Sequence, residues 1–362
     1  MGQPNTAPST RLGVVVVLVL GLWSSIGAAV PAALAPPTVR ELVGQRFVIA
    51  MNGTSPSPAL LGRVRRGEIG GVILFGSNIE NRAQLRRLTA ALQEAARDAG
   101  RPPLMIATDQ EGGRVRRLPW AGPVPSTIAL GRLSPRAIRG QALATGKALR
   151  LSGVNVDLGP VADVPAAGSF MALEERTFSA DTATVAGATV AFAKGLAGAH
   201  VAAAVKHFPG IGRAMRNTDL TAVGIGATRA ELSGTDLVPF RAAIDAGAPI
   251  VMISNATYPA LDSKPAPWSP KIQSLLRVEL GFQGITISDA LDGAAATRGR
   301  QLGSVATLAA QAGVDLLLLT GSEGSSAAAF ERVATRAERG GISPAALRAS
   351  YGRIVALKRV VG

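Results

Sequence analysis

From about residue 40 onward the chain alternates short apolar runs with longer amphipathic stretches. Eight runs, 47–51, 71–75, 104–108, 154–158, 202–206, 250–254, 285–288 and 314–320, are mostly β-branched or aliphatic. Most of them lack the apolar–polar alternation of a half-exposed strand, which is the pattern expected of parallel strands covered on both faces. The stretches between them read as helices. Ser134-Pro135, Ser269-Pro270 and Ser343-Pro344 each set an N-cap serine before a proline at the first helical position. Gly67, Gly153 and Gly247 stand where helices should stop. Eight β–α alternations predict the α/β class and, within it, a single (β/α)8 TIM barrel. The absence of a GxGxxG fingerprint after the first strand speaks against an open dinucleotide-binding sheet. A barrel also places the chemistry at the C-terminal ends of its strands.

The N-terminus follows a different pattern. Residues 12–35 are largely apolar, preceded by Arg11 and a tail with no acidic residue, and they end in Ala33-Leu34-Ala35. The A-x-A pattern suits a cleaved signal peptide, whereas Pro36 directly after it hinders cleavage, and the run is long enough to span a bilayer. Residues 1–35 are therefore expected to be a signal peptide or membrane anchor, and residues 36–362 the barrel. The protein is expected outside the cytoplasm, secreted or anchored, touching the membrane only through this segment.

Composition narrows the chemistry. With 47% hydrophobic and 17% charged residues, the chain is neither disordered nor collagen-like. Zero cysteines exclude disulfides, thiolate metal sites and a cysteine nucleophile, and two histidines leave no multi-histidine metal site. The net charge of +14 comes from 38 basic residues, of which six are lysine. No helix carries a concentrated basic stripe and only 4% of residues are aromatic, so nucleic acid is not the expected partner. Long-range attraction to anionic cell-wall polymers is the other use such a charge has.

Just past the predicted strands the chain is unusually polar. Strand three runs into Asp109-Gln110-Glu111-Gly112-Gly113-Arg114, strand four supplies Asp157 and then Asp163, strand five Lys206-His207, strand six Asn255 and strand seven Asp289. Charges beside apolar runs are costly without partners, and several converging on one barrel mouth suit a small, hydroxyl-rich ligand held by charged hydrogen bonds. A lone aspartate there is as readily a helix cap, and a lone histidine a hydrogen-bonded core residue.

The segments DQEGGRVRRLP (109–119), EERTFSAD (174–181), KHFPGIG (206–212) and ISDALD (287–292) resemble the signature segments of glycoside hydrolase family 3, most closely its single-domain β-N-acetylhexosaminidases. The likeness runs from about residue 40 to the end. It implies a TIM barrel, in agreement with the strand count, and retaining hydrolysis of a terminal, non-reducing β-linked N-acetylglucosamine, from cell-wall fragments, by a monomer needing no metal or organic cofactor. It also implies roles. Asp289 matches the nucleophile that forms the covalent glycosyl-enzyme, while Asp109, Arg117, Arg176, Lys206 and His207 match positions that grip the sugar.

The chain departs from the pattern at the general acid. The single-domain members carry it as a histidine in an Asp-Ser/Thr-His triplet after strand five, where this sequence has Asn217-Thr218-Asp219. Asn255 likewise stands where a histidine is expected, and it is counted here among the sugar-binding candidates. Three readings follow: Asp219 is the acid/base, its pKa raised by burial or a neighbouring carboxylate; the reaction is one that needs less acid assistance, with a better leaving group, another sugar or another acceptor; or the barrel binds wall glycans without cleaving them.

Overall fold

The computed structural model describes residues 1–2 and 36–362; the predicted export or anchor segment lies otherwise outside the described residues. Everything below concerns one compact unit, Pro37–Gly362. No helix among the described residues is long and apolar enough to cross a membrane.

Eight parallel strands form one sheet: β1 (Phe47–Ala50), β2 (Gly71–Ile73), β3 (Met105–Thr108), β4 (Val156–Asp157), β5 (Ala202–Phe208), β6 (Ile250–Ile253), β7 (Ile285–Ser288) and β8 (Leu317–Leu319). From β1 to β7 each strand pairs with the next, and β8 returns to β1 through Phe47 opposite Leu317. A bridge from Ile287 to Leu316 joins β7 to the residue before β8, bringing the ring near closure. The continuous apolar runs now have their explanation. Within β1, Val48 and Ala50 face the barrel interior while Phe47 and Ile49 pack under the outer helices, so both sets of side chains are buried. The expected helix starts and stops are present. The hydroxyls of Ser134, Ser269 and Ser343 accept from the backbone N–H three residues on, and Gly67, Gly153 and Gly247 take positive φ just after helices.

The helix Pro344–Val361 closes the N-terminal end of the barrel. Its Ile354, Leu357 and Val361 join the interior cluster, Arg353 pairs with Asp315 at 2.6 Å just before β8, and Lys358 donates to Gln45 Oε1 at 2.6 Å just before β1. Burial pushes the Lys358 ammonium down to about 7. A lysine whose folded pKa lies below its unfolded value near 10.4 opposes folding most strongly when both states are protonated, and the penalty fades as pH rises from about 7 to 10. Lys358→Met is therefore expected to stabilise the protein by roughly 2–4 kcal/mol at pH 6 and by much less at pH 10, as read from urea unfolding at the two pH values.

Candidate active site

The open C-terminal end of the barrel holds a cavity of about 380 Å³. Asp109, Arg117, Arg176, Lys206, His207, Asp219 and Asp289 all line it, although they come from five separate stretches of chain. Phe75, Leu158, Met252 and Leu318 supply apolar wall between the charges.

Local structure explains how each group arrives. Beyond β3 the chain turns back in a short hairpin, Gln110–Gly112 against Val115–Arg116. Gln110 is fully buried and fastens it: its amide oxygen accepts from the N–H groups of Arg117 and Leu118, and its amide nitrogen donates to the carbonyls of Leu118, Ala121 and Gly122. Asp109 and Glu111, on either side of Gln110, are thereby held over the mouth. Lys206 lies near the end of β5 and donates to Asp109 Oδ1 at 2.8 Å and Glu111 Oε1 at 2.7 Å. Arg176 forms a two-pronged pair with Glu111, at 2.9 and 2.7 Å. Arg117 stands 3.8 Å from Asp109 and 5.9 Å from the centre of the Phe75 ring.

Glu111 is thus the centre of a buried charge network. Burial alone would raise its carboxyl, but the Lys206 ammonium and Arg176 guanidinium outweigh that and hold it far below the usual carboxylate range. The same partners hold both cations charged: against the cost of burial, Asp109 and Glu111 raise Lys206, and Glu111 raises Arg176. Asp157 lies nearby with one oxygen accepting from Gln110 N–H and the other unpartnered, and burial pushes its carboxyl up to about 7.

His207 is set by a second buried carboxylate. Asp163 takes the ring Nδ1 at 2.7 Å, and its other oxygen accepts from the N–H of Ile211 at 2.7 Å. With Nδ1 committed as donor to Asp163, Nε2 is the nitrogen left for a ligand.

Asp289 follows β7 directly. Its backbone N–H donates to Ile253 O, and its Oδ1 accepts from the N–H of Ala290 at 2.8 Å. Burial and the neighbouring Asp219 charge push its carboxyl up to about 6, against the opposing influence of His207 and the Ala290 N–H. Asp219 comes from the exposed end of the loop after β5 and caps its own turn by donating its N–H to Asn217 Oδ1 at 2.8 Å. A Cβ at Gly293 would sit 2.8 Å from the Asp219 carbonyl oxygen, so only a bare backbone lets this loop lie against the one carrying Asp289. Further back, Arg213 ties the same loop to the buried Asp236 at 3.1 Å.

One candidate is placed elsewhere. Asn255 is 1% exposed and does not line the cavity; its amide donates to the carbonyl of Ala290 at 2.8 Å, behind Asp289. The side chain is short and follows β6 closely, so it braces the Asp289 loop instead of reaching the space a sugar would fill. Conversely, Glu111 and Asp163 carry tasks that sequence reasoning gave to neither. Glu111 was visible only as a member of the 109–119 segment and Asp163 only as a carboxylate after a predicted strand, and neither signal reveals a partner about 45 to 95 residues away. Among the described residues no group of three or more His, Asp and Glu is placed to hold a metal ion.

Comparison with known proteins adds to this geometry. A family model described as the glycosyl hydrolase family 3 N-terminal domain matches residues 38–357. An uncharacterised secreted glycosyl hydrolase of Arthroderma benhamiae is 34% identical over 343 residues, covering 91% of this chain and 97% of its own. The structure of a family 3 β-N-acetylglucosaminidase from a Paenibacillus strain superposes with a TM-score of 0.87 at 32% identity, over 90% of this chain and 63% of that one. The β-N-acetylhexosaminidase of Beutenbergia cavernae superposes with a TM-score of 0.81 at 33% identity, over 90% of this chain and 99% of that one. A near-full-length match to the family model, the eight-stranded barrel and the charged cavity at its C-terminal end agree, and the chain belongs to glycosyl hydrolase family 3.

Proposed function

We propose that the chain is a retaining glycosidase that removes a terminal, non-reducing β-linked N-acetylglucosamine or a related N-acetylhexosamine, with Asp289 as nucleophile and Asp219 as acid/base. The carrying observation is that these two carboxylates, supplied by different loops, line one cavity together with a buried network of cations and carboxylates. The substrate follows from the relatives, the β-N-acetylglucosaminidase and β-N-acetylhexosaminidase whose barrels superpose on this one. Cell-wall fragments are the proposed source of that sugar, and a monomer acting outside the cytoplasm is the proposed setting; the name of the secreted Arthroderma relative supports the latter.

In this mechanism an ionised Asp289 oxygen attacks the anomeric carbon as Asp219 gives its proton to the departing glycosidic oxygen. The covalent glycosyl-enzyme is then hydrolysed by water that Asp219 deprotonates, which releases Asp289. Lys206, Arg176, Arg117 and Asp109 hold hydroxyls and the acetamido group, with His207 Nε2 beside the reacting centre. The working state carries one proton between the two aspartates, so the pH profile is bell-shaped and its limits belong to the pair.

The test is release of nitrophenol from nitrophenyl β-N-acetylglucosaminide between about pH 4 and 8. The wild type is expected to turn over with a bell-shaped profile. Asp219→Asn should lose the basic limb and leave the acidic limb, set by Asp289, in place, because Asp219 is already uncharged in the state that attacks. For alkyl aglycones, which need protonation, the variant should be slower by roughly 10²–10⁴-fold. Full activity in Asp219→Asn on both substrates would remove Asp219 from the mechanism, and wild-type sugar binding without turnover would favour the glycan-binding reading.

A further inference from the structure

On the outer wall, the helices Leu302–Ala312 and Glu323–Glu338 enclose a groove of about 740 Å³ that shares no residue with the cavity at the barrel mouth. We propose that this groove binds a linear polymer of phosphate groups. Arg332, Arg336 and Arg339 follow one another at four- and three-residue spacing, so they project from one side of their helix over about 10 Å. Arg300 faces them across the groove, its guanidinium 5.5 Å from the centre of the Trp268 ring. All four arginines are exposed, and none is ion-paired among the described residues. The one carboxylate in the lining, Glu331, is already engaged by Arg40 at 2.5 Å.

Two of the arginines are also seated. A Cβ at Gly303 would come 2.7 Å from Arg332 Cδ, and one at Gly341 would come 2.0 Å from Arg336 Nε. Each side chain therefore lies against backbone that has room for it only because no Cβ is present. Planar guanidinium forks pair two-pronged with phosphate oxygens, and the hydroxyls of Ser304 and Thr335 offer neutral donors between them. A row 10 Å long exceeds the reach of a single anion and calls for charges in series. No aromatic side chain lines the groove to stack a base, so the occupant is read through its phosphates alone.

An arginine-rich chain of net charge +14 attracts any polyanion, so the test must separate this groove from the background. The full chain is titrated with inorganic polyphosphate at several salt concentrations. Arg332→Gln/Arg336→Gln is compared with Arg86→Gln/Arg87→Gln, which removes the same charge from a different and largely apolar outer groove. The groove pair is expected to weaken binding at least about tenfold and to lower the salt slope by between one and two charges, while the control pair changes affinity less than about twofold. Gly303→Ala keeps every charge but displaces Arg332, and it should weaken binding too. Nitrophenyl glycoside hydrolysis should be unchanged in the two arginine pairs. Equal losses from the two pairs, no binding by the wild type, or equally tight binding of polyglutamate would each overturn the proposal.

Discussion

Asp289→Asn is expected to reduce turnover of nitrophenyl β-N-acetylglucosaminide by on the order of 10⁴-fold or more, with the fold intact. The size follows from what the carboxylate alone can do. An amide of the same shape cannot form the glycosyl ester, and neither Asp109 nor Glu111 can replace it, because Lys206 and Arg176 already hold them. The stability cost should be small and of the opposite sign to most core changes. Burial raises this carboxyl to about 6, so its ionised form is disfavoured by the fold at neutral pH, and an uncharged amide relieves that penalty. The Ala290 N–H can still donate to the amide oxygen. Circular dichroism and thermal unfolding at pH 7.5 should show a variant as stable as the parent or more so, with no measurable burst of nitrophenol. Turnover within tenfold of wild type would remove Asp289 from the nucleophile's role.

Glu111→Gln is expected to be damaging in a different way. Its carboxylate joins the buried Lys206, at 2.7 Å, to the half-buried Arg176, which it binds by both prongs. Removing one member of a buried charge network leaves the others uncompensated, which costs about 3–5 kcal/mol. The pH dependence has a definite sign. A carboxylate held below its unfolded pKa stabilises the fold at pH values above that unfolded value, near 4.3, and the contribution is lost as the pH falls towards the depressed folded value. The variant should therefore be less stable than wild type at pH 7, and the gap should narrow as the pH is lowered. Activity should fall through KM as well as kcat, since both cations proposed to grip the sugar lose their fixed positions. An equally stable variant with unchanged KM would show that Asp109 alone suffices to hold Lys206.

Much of the barrel was legible because both faces of each strand are buried, and the sequence therefore shows eight short, mostly apolar runs. The differences lie at the edges. The run at 314–320 pairs regularly only over Leu317–Leu319, because Asp315 before it is drawn aside by Arg277 and Arg353. The run at 154–158 narrows to Val156–Asp157, since Asn155 spends its side chain on the backbone of the neighbouring β3 edge. β5 instead extends past 206 to Phe208, carrying Lys206 and His207 inside a strand.

The cavity was legible residue by residue where motifs carried it, and illegible where roles depend on pairing across the barrel. Asn255 looked like a ligand contact because it ends an apolar strand, yet its amide serves the Ala290 carbonyl. Glu111 sits within the same motif as Asp109, but only the folded chain shows that it, and not Asp109, binds Arg176. Asp163 follows β4 with nothing in its neighbours to announce the histidine 44 residues on. The departure of Asn217-Thr218-Asp219 from the triplet that the resemblance implies was visible from the start. What folding adds is that the aspartate reaches the same cavity as Asp289, with Gly293 leaving room for its backbone.

A double displacement through Asp289 fixes the stereochemistry of the first product. Proton NMR of a concentrated hydrolysis, recorded before mutarotation equilibrates the anomers, should show β-N-acetylglucosamine appearing first, because two inversions at the anomeric carbon restore the original configuration. Appearance of the α anomer first would mean that water attacks the substrate directly, and would contradict the covalent role assigned to Asp289.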